Sequence, residues 1–399
     1  MGDASVKETV DKFRKNKSGQ VVLVLQGGGA LGAYQVGVYQ ALHEAGVEPD
    51  WIIGTSIGAI NAGLIAGNKP QDRLGKLEEF WGRVKSPRAA LIPYLPGVSE
   101  AWSCWSTLVG GVSGFFKPNP WAFWSMHFPW GVDHAAFYST TSLRETLAEL
   151  IDFSIINKGS PRLTVGAANV QTSMMRYFDS RESEIGSEQI MASGALPPAF
   201  PAICIDGEYY WDGGILSNTP TEVIFEDFPR RNSLIFAVHL WNPVGPVPRS
   251  IWEVFHRQKD IQYSSRIASH ISRQQQTHRL RHVISQLVRQ IPSDLRESEV
   301  VKDLAGYGCV TQMHVMRLLA PRIDNENHTK DIDFSSDGIQ SRRAAGYSAA
   351  MRALQQAPWD GNFDPIEGVI LHEAIPEMPL AAEWQTIRAS QRDQGLNDA

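Results

Sequence analysis

Residues 21–32 read VVLVLQGGGALG, and residues 51–58 read WIIGTSIG. In each stretch a short apolar run, typical of a buried strand, ends in a glycine-rich turn. A helical pattern follows each turn. The first predicted helix covers residues 33–45 and ends before Gly46, a candidate C-cap. The second covers residues 59–66, which are mostly small and so suit close packing on a sheet. This order of strands and helices predicts a mostly parallel sheet within a three-layer α/β/α core.

The second turn, Gly54-Thr55-Ser56-Ile57-Gly58, has the spacing of a nucleophile elbow, which raises a serine hydroxyl above the end of a strand. Ser56 would lie at a helix N-terminus, where the helix dipole favours a developing negative charge. The first turn, Gly27 to Gly32, can present bare backbone N–H groups to a substrate oxygen. Acyl transfer needs both features, so the pair predicts a serine acyl hydrolase. The alternative is a structural turn that Ser56 only caps.

The first turn also satisfies the G-x-G-x-x-G pattern of dinucleotide-binding folds through Gly27, Gly29 and Gly32. That pattern needs an acidic residue at the carboxyl end of the second strand, where it binds ribose. Here the second strand runs into the turn at residues 54–58, and Glu48 and Asp50 precede the strand. The sequence therefore disfavours a nucleotide cofactor.

A serine nucleophile needs a base, and no histidine has a catalytic signature. His270, His278 and His282 fall on a long helical stretch, and His328 lies in a polar loop. Asp212 is better placed, because it ends the strand-like run Tyr209-Tyr210-Trp211 and precedes Gly213 and Gly214. An ionised carboxylate can accept a proton from serine, more strongly if burial raises its pKa. A plain Asp-Gly-Gly turn is the alternative.

Three blocks, taken in order, resemble the signature of patatin-like phospholipases: Gly27-Gly28-Gly29-x-x-Gly32, Gly54-x-Ser56-x-Gly58 and Asp212-Gly213-Gly214. Residues 192–201 and Asn218-Thr219-Pro220 are also similar to the family's sequence around the aspartate. The resemblance covers residues 20–245. It implies a Ser–Asp dyad without histidine, with Ser56 as nucleophile, Asp212 as base, Gly27, Gly28 and Gly29 as the oxyanion hole, and no metal or organic cofactor.

The chain departs from many family members at Leu31, where they carry arginine or lysine. Residues 330–335 and 344–347 are similar to an extension found on some bacterial patatin-like proteins, which suggests a bacterial source. We expect a polar N-terminal arm at 1–19, a catalytic domain at 20–245 and a helical or mixed extension at 246–399, in which positions 360–399 are irregular.

An inserted cap is predicted at residues 80–138, because this segment is rich in tryptophan and phenylalanine and is interrupted by glycine and proline. Six of the twelve tryptophans fall here, and amphipathic rings suit an acyl channel or a lipid interface. The core of a small subdomain would explain the same composition.

The net charge of −6 gives no general case for nucleic-acid binding. Residues 256–290 carry seven arginine or lysine residues against one acid, Asp260. That net charge of +6 suits either anionic lipid headgroups or a solvated, ion-paired face. The polar start and the lack of any apolar run long enough to span a bilayer predict a cytoplasmic protein, with peripheral membrane contact left open.

The predicted activity is therefore hydrolysis of a fatty acyl ester in a lipid, of phospholipase A or esterase type. Two alternatives stay open. One is hydrolysis of short esters or a storage polyester. The other is a catalytically weak module that binds a membrane or a partner protein.

Overall fold

The computed structural model describes residues 19–85, 110–122, 126–322 and 330–374, together with Glu8, Val10, Asp11, Phe13 and Arg14. Its main feature is a nine-stranded sheet, and a two-stranded ribbon lies apart from it. In chain order the strands are β1 (Gln20–Leu25), β2 (Trp51–Gly54), β3 (Lys117–Pro118), β4 (Tyr138–Ser139), β5 (Arg162–Asn169), β6 (Met175–Asp179), β7 (Ile203–Ile205), β8 (Glu208–Asp212), β9 (Ser233–His239), β10 (Met313–Leu319) and β11 (Val369–Glu373).

Helices connect the strands and cover the sheet. In chain order they are α1 (Ala33–Glu44), α2 (Ile57–Ala66), α3 (Pro70–Arg83), α4 (Thr141–Leu150), α5 (Phe153–Ile156), α6 (Ser187–Ser193), α7 (Glu222–Glu226), α8 (Ile251–Gln290), α9 (Ser293–Arg296), α10 (Glu299–Gly306) and α11 (Ser336–Gln356). No helix among these described residues is long and apolar enough to cross a bilayer.

The sheet runs β11-β10-β9-β1-β2-β5-β8-β7, and β6 pairs with the other edge of β5. Six strands that are neighbours in the sheet run parallel to one another: β11, β10, β9, β1, β2 and β5. Strands β6 and β8 are antiparallel to β5. The predicted α/β class is confirmed. Because the carboxyl ends of parallel strands meet at one edge of a sheet, the turns after β1, β2 and β9 lie together.

The apolar run of β1 is continuous because both faces of the sheet are covered. Val21, Leu23 and Leu25 belong to one hydrophobic core, and Val22 and Val24 belong to a second core on the opposite face. The side chains of a strand alternate between faces, so an uninterrupted apolar run is what a strand between two helical layers requires.

The geometry of β5 explains how two distant motifs meet. Its residues 162–165 pair with β2, and its residues 167–169 pair with β8. Both partners occupy the same edge of β5, because β6 pairs with residues 164–168 along the other edge. Asp212 at the end of β8 therefore lies just beyond the point where β2 ends at Gly54.

The C-terminal third continues the same sheet, since β10 pairs with β9 and β11 pairs with β10. Helix α11 packs on α1 at a crossing where Gly37 and Gly346 leave no room for a side chain. A Cβ at Gly37 would lie 1.9 Å from the Arg343 carbonyl oxygen. The domain boundary at residue 245 stays a prediction. The expectation of an irregular C-terminal end is wrong at residues 369–373, which form β11.

The predicted cap falls only partly within the described residues, and half of its tryptophans lie outside them. The aromatic side chains of the described part differ in burial. Phe115 and Phe116 are buried, whereas Trp121 and Phe128 are 71% and 60% exposed. Backbone hydrogen bonds join this part to the proline-rich turn at residues 196–201, including Tyr138 N–H to the Ala199 carbonyl at 2.9 Å.

Candidate active site

Ser56 occupies a sharp turn between β2 and α2. Its backbone φ of 57° and ψ of −126° are sparsely populated by non-glycine residues, as in a nucleophile elbow. The Ser56 N–H donates to the carbonyl oxygen of Ser193 at 3.1 Å and to its hydroxyl at 3.0 Å. The Ser193 hydroxyl in turn donates to the Gly166 carbonyl at 2.6 Å. These contacts on α6 and β5 hold the strained turn in place.

The glycines around Ser56 lie where the backbone is crowded. A Cβ at Gly54 would lie 2.4 Å from the Gly58 carbonyl oxygen, and one at Gly58 would lie 2.1 Å from that of Leu25. A Cβ at Gly32 would lie 2.6 Å from the Ile57 side chain. Helix α2 can therefore start directly beneath the turn, with its N-terminus next to the serine.

Asp212 meets Ser56 at this turn. Ser56 and Asp212 line the same cavity, and the Gly214 N–H donates to Asp212 Oδ1 at 2.7 Å. Gly213 packs against β5, because a Cβ there would lie 2.3 Å from the Gly166 carbonyl oxygen. Burial raises the pKa of Asp212 from 3.8 to about 6, although the nearby Ser56 side chain and the Gly214 N–H oppose the rise. The carboxylate is thus a stronger base than an exposed one.

The first glycine turn faces the same space. In the described part of the chain, no backbone acceptor lies within hydrogen-bond range of the Gly28 and Gly29 N–H groups. The Gly27 N–H, by contrast, donates to the Asn218 carbonyl at 3.3 Å. Gly28 and Gly29 therefore remain candidate oxyanion donors, whereas this contact does not support the prediction of Gly27 as a third.

Two side chains hold the Gly27 carbonyl and were not assigned a role from the sequence. Trp241 Nε1 donates to it at 2.8 Å and Asn218 Nδ2 at 3.1 Å. Trp241 follows β9, and the carboxyl ends of β9 and β1 are neighbours in the sheet. Its position directly after a buried strand is the sequence feature that could have indicated this role. Ser193 lies within residues 192–201, which resemble the family, but its role depends on contacts with the turn after β2 and with β5 that no local pattern records.

A cavity of about 170 Å³ opens over Ser56 and Asp212. Most of its wall is aromatic or aliphatic, and no histidine is among the described residues that line it. The apolar lining residues include Ile57, Ile60, Phe115, Phe116, Tyr138, Leu196, Ala199, Phe200, Trp241, Ile332 and Phe334. Such a wall suits a fatty acyl chain better than a polar group.

The predicted basic surface of α8 is partly occupied by internal contacts. Lys259 forms an ion pair with Asp331 at 2.7 Å, and Arg257 donates to the Asn242 carbonyl at 3.4 Å. Arg279 and Arg289 are exposed. No group of three histidine, cysteine or acidic residues is arranged to hold a metal ion in the described ranges.

Comparison with known proteins agrees with this fold. Residues 23–225 match the family model described as patatin-like phospholipase, and residues 261–366 match a second model described as patatin phospholipase. The chain belongs to the patatin-like phospholipase family.

The curated relatives are much longer proteins. Lysophospholipase nte1 of Aspergillus terreus is 49% identical over 20% of this chain and 5% of its own length. Lysophospholipase NTE1 of Kluyveromyces lactis is 25% identical over 61% of this chain and 14% of its own length. Among solved structures, VipD from Legionella pneumophila matches weakly, with 16% identity, a TM-score of 0.36, and coverage of 84% of this chain and 67% of that one.

Proposed function

We propose that this protein is a serine lipid acyl hydrolase of phospholipase A or esterase type, which works through a Ser56–Asp212 dyad and an acyl-enzyme intermediate. The placement of Ser56 and the buried Asp212 carboxylate in one cavity, close enough for the serine side chain to lower the carboxyl pKa, carries this proposal. An exposed carboxylate would be too weak a base, and burial moves the pKa of Asp212 towards neutrality.

In the first half-reaction, Ser56 Oγ attacks the ester carbonyl carbon and its proton passes to Asp212. The carbonyl oxygen becomes an oxyanion, which the Gly28 and Gly29 N–H groups and the N-terminus of α2 can stabilise. The tetrahedral intermediate then collapses. The alcohol departs with the proton from Asp212, and the acyl group stays on Ser56 as an ester.

In the second half-reaction, water takes the place that the alcohol has left. Asp212 removes a proton from the water as its oxygen attacks the acyl-enzyme, and the same backbone donors stabilise the second oxyanion. Collapse of this intermediate returns the proton to Ser56 and releases a fatty acid. The charges balance without a metal or an organic cofactor.

The lining of the cavity supports a fatty acyl ester as substrate. Phe115, Phe116, Phe200 and Tyr138 form a cluster of ring contacts along one side, with centroid distances between 4.9 and 6.2 Å. These rings can shield an alkyl chain from water near the nucleophile.

We also propose peripheral contact between the cap and lipid. Trp121, Met126, Phe128 and Trp130 are 71%, 68%, 60% and 48% exposed. Exposed aromatic and sulfur-containing side chains of this kind suit the boundary between water and acyl chains. The cytoplasmic location and the bacterial source stay predictions.

The direct test compares wild type with Ser56→Ala by mass-spectrometric measurement of fatty acid release. The substrates are vesicles of phosphatidylcholine, vesicles of lysophosphatidylcholine, and p-nitrophenyl butyrate. Wild type should release fatty acid from lipid and Ser56→Ala should not, while Ser183→Ala, a matched change in an exposed loop, keeps full activity. Turnover of the butyrate ester alone would favour the short-ester alternative. Equal release by wild type and Ser56→Ala would refute the proposed nucleophile.

A further inference from the structure

We propose that residues 330–334 of the C-terminal extension, here named the clamp, are part of the active site. The clamp positions the oxyanion turn at residues 27–32 and forms one wall of the acyl cavity. This inference rests on the proposed function, and it assigns a role to one segment of the C-terminal extension.

The clamp touches the oxyanion turn through its backbone. The Ala30 N–H donates to the Asp331 carbonyl at 2.8 Å. Gly29 has a φ of +55°, and a Cβ there would lie 2.2 Å from the same carbonyl oxygen. The turn therefore lies between two supports. Trp241 and Asn218 hold the Gly27 carbonyl on one side, and Asp331 holds the Ala30 N–H on the other.

A buried ion pair anchors the clamp to helix α8. Lys330 Nζ lies 2.8 Å from Asp260 Oδ1, and the two side chains are only 5% and 1% exposed. Lys330 also lies 5.2 Å from the ring centroid of Trp241, the residue that holds Gly27. A second ion pair joins the next residue, Asp331, to Lys259 at 2.7 Å. Because a charge without its partner is costly in the interior, these contacts favour one position of the clamp.

The buried cation of Lys330 lies near Leu31 of the oxyanion turn. Leu31 itself carries no charge. Leu31 and Lys330 border the same small cavity, which Arg322 and Arg342 also line. We infer that in this chain the extension contributes the buried cation next to the oxyanion turn.

The same segment closes the acyl cavity. Ile332 and Phe334 line it, and Phe334 is only 2% exposed. The Phe334 ring packs against Phe115 of the cap, with centroids 6.2 Å apart, and against Trp81, with centroids 6.4 Å apart. The space available to the acyl chain thus depends on the clamp as well as on the cap.

The wall is tested with Phe334→Leu, which keeps an apolar side chain so that the core stays filled. Phe363→Leu is the matched control, because Phe363 lies in the same extension and packs against His314 and His372, outside the cavity. Rates are measured on p-nitrophenyl esters from butyrate to palmitate. Phe334→Leu should raise the ratio of long-chain to short-chain kcat/KM at least threefold, and Phe363→Leu should leave it unchanged. Identical profiles for the two variants would overturn the assignment of the wall.

The positioning role is tested with the double variant Lys330→Met/Asp260→Asn, because Lys330→Met alone would take from a buried carboxylate its nearest cation and leave only Arg322 at 3.6 Å and His256 at 3.4 Å among its ion-pair partners in the described residues. On p-nitrophenyl butyrate we expect kcat of the double variant to fall about tenfold, with KM within about twofold of the wild-type value. This loss is smaller than the fall in kcat of about 10²–10³ that is typical when one oxyanion donor is removed. Lys330→Arg, which keeps the cation beside Asp260, should retain most of kcat. Glu373→Gln, which breaks the exposed ion pair with Arg317 in the same extension, should match wild type.

The outcomes separate this inference from the proposed function. If Ser56→Ala is inactive but the double variant keeps wild-type kcat, the positioning role fails and the dyad stands. A rise in KM alone would also refute it, since misplaced oxyanion donors affect the transition state more than substrate binding. If Ser56→Ala is as active as wild type, the proposed function fails first.

Discussion

Replacing Asp212 with asparagine should remove activity and at the same time stabilise the protein. The burial that makes this carboxylate a useful base also penalises its charge. Its pKa rises from 3.8 to about 6, and each unit corresponds to about 1.4 kcal/mol, so the ionised group costs roughly 3 kcal/mol of folding free energy above pH 6. Asparagine keeps an oxygen that can accept from Ser56 and Gly214, but it carries no charge.

The sign of the pH dependence follows from proton linkage. Because the folded pKa of Asp212 is raised, the native state binds more protons than the unfolded state between pH 3.8 and about 6. Wild type therefore loses this part of its stability as the pH rises through that window, and Asp212→Asn does not. The stability difference should be close to zero below pH 4 and should reach its maximum of roughly 3 kcal/mol above pH 6.

The assay is urea unfolding of wild type and Asp212→Asn at several values of pH from 4 to 8, with activity measured on the same samples. Asp206→Asn, at the exposed turn between β7 and β8, is the matched control and should change stability by less than about 0.5 kcal/mol. We expect kcat/KM of Asp212→Asn to fall by about 10²–10⁴, the usual contribution of a general base. A variant that is inactive and no more stable than wild type at pH 8 would refute the link between burial and basicity.

Four further results are expected. The kcat/KM of wild type should fall below an apparent pKa of about 6 as Asp212 becomes protonated, and a flat profile between pH 5 and 8 would argue against Asp212 as the base. Ser193→Ala should lower kcat on p-nitrophenyl butyrate about tenfold, because the Ser56 N–H loses one of its two acceptors. Kinetic constants of wild type and variant on this ester check the prediction. Gly29→Ala should abolish turnover through its clash with Asp331, and near-normal activity would exclude this turn as the oxyanion site. Trp241→Phe removes a donor to the Gly27 carbonyl and should lower kcat severalfold while leaving KM unchanged.

The α/β fold was predictable because its signals are local. The run at residues 21–25 is apolar without interruption, as both faces of the sheet are covered, and a glycine turn and a helix follow it directly. Strand β11 was not recognised, because it is short and lies at the edge of the sheet, where no turn motif marks it. Its identity as a strand depends on pairing with β10, which is a contact between distant parts of the chain.

The candidate site also has one part that short motifs predicted and one part that depends on contacts between distant residues. Ser56 and Asp212 each stand in a short motif, so both could be named from the sequence. Their meeting depends on the two partners that share one edge of β5, which no local pattern records. The hydrogen bond that occupies the Gly27 N–H involves Asn218, which is distant along the chain, and the support from Asp331 comes from the C-terminal extension. Such contacts follow from the assembled fold rather than from spacing.

The most direct test of the central claim, that Ser56 and Asp212 form the reactive pair, is peptide mapping after reaction with a fluorophosphonate. Wild type should gain one adduct, located on Ser56. Asp212→Asn should react far more slowly, and Ser56→Ala should not react. An adduct at another residue, or equal labelling of wild type and Asp212→Asn, would contradict the account.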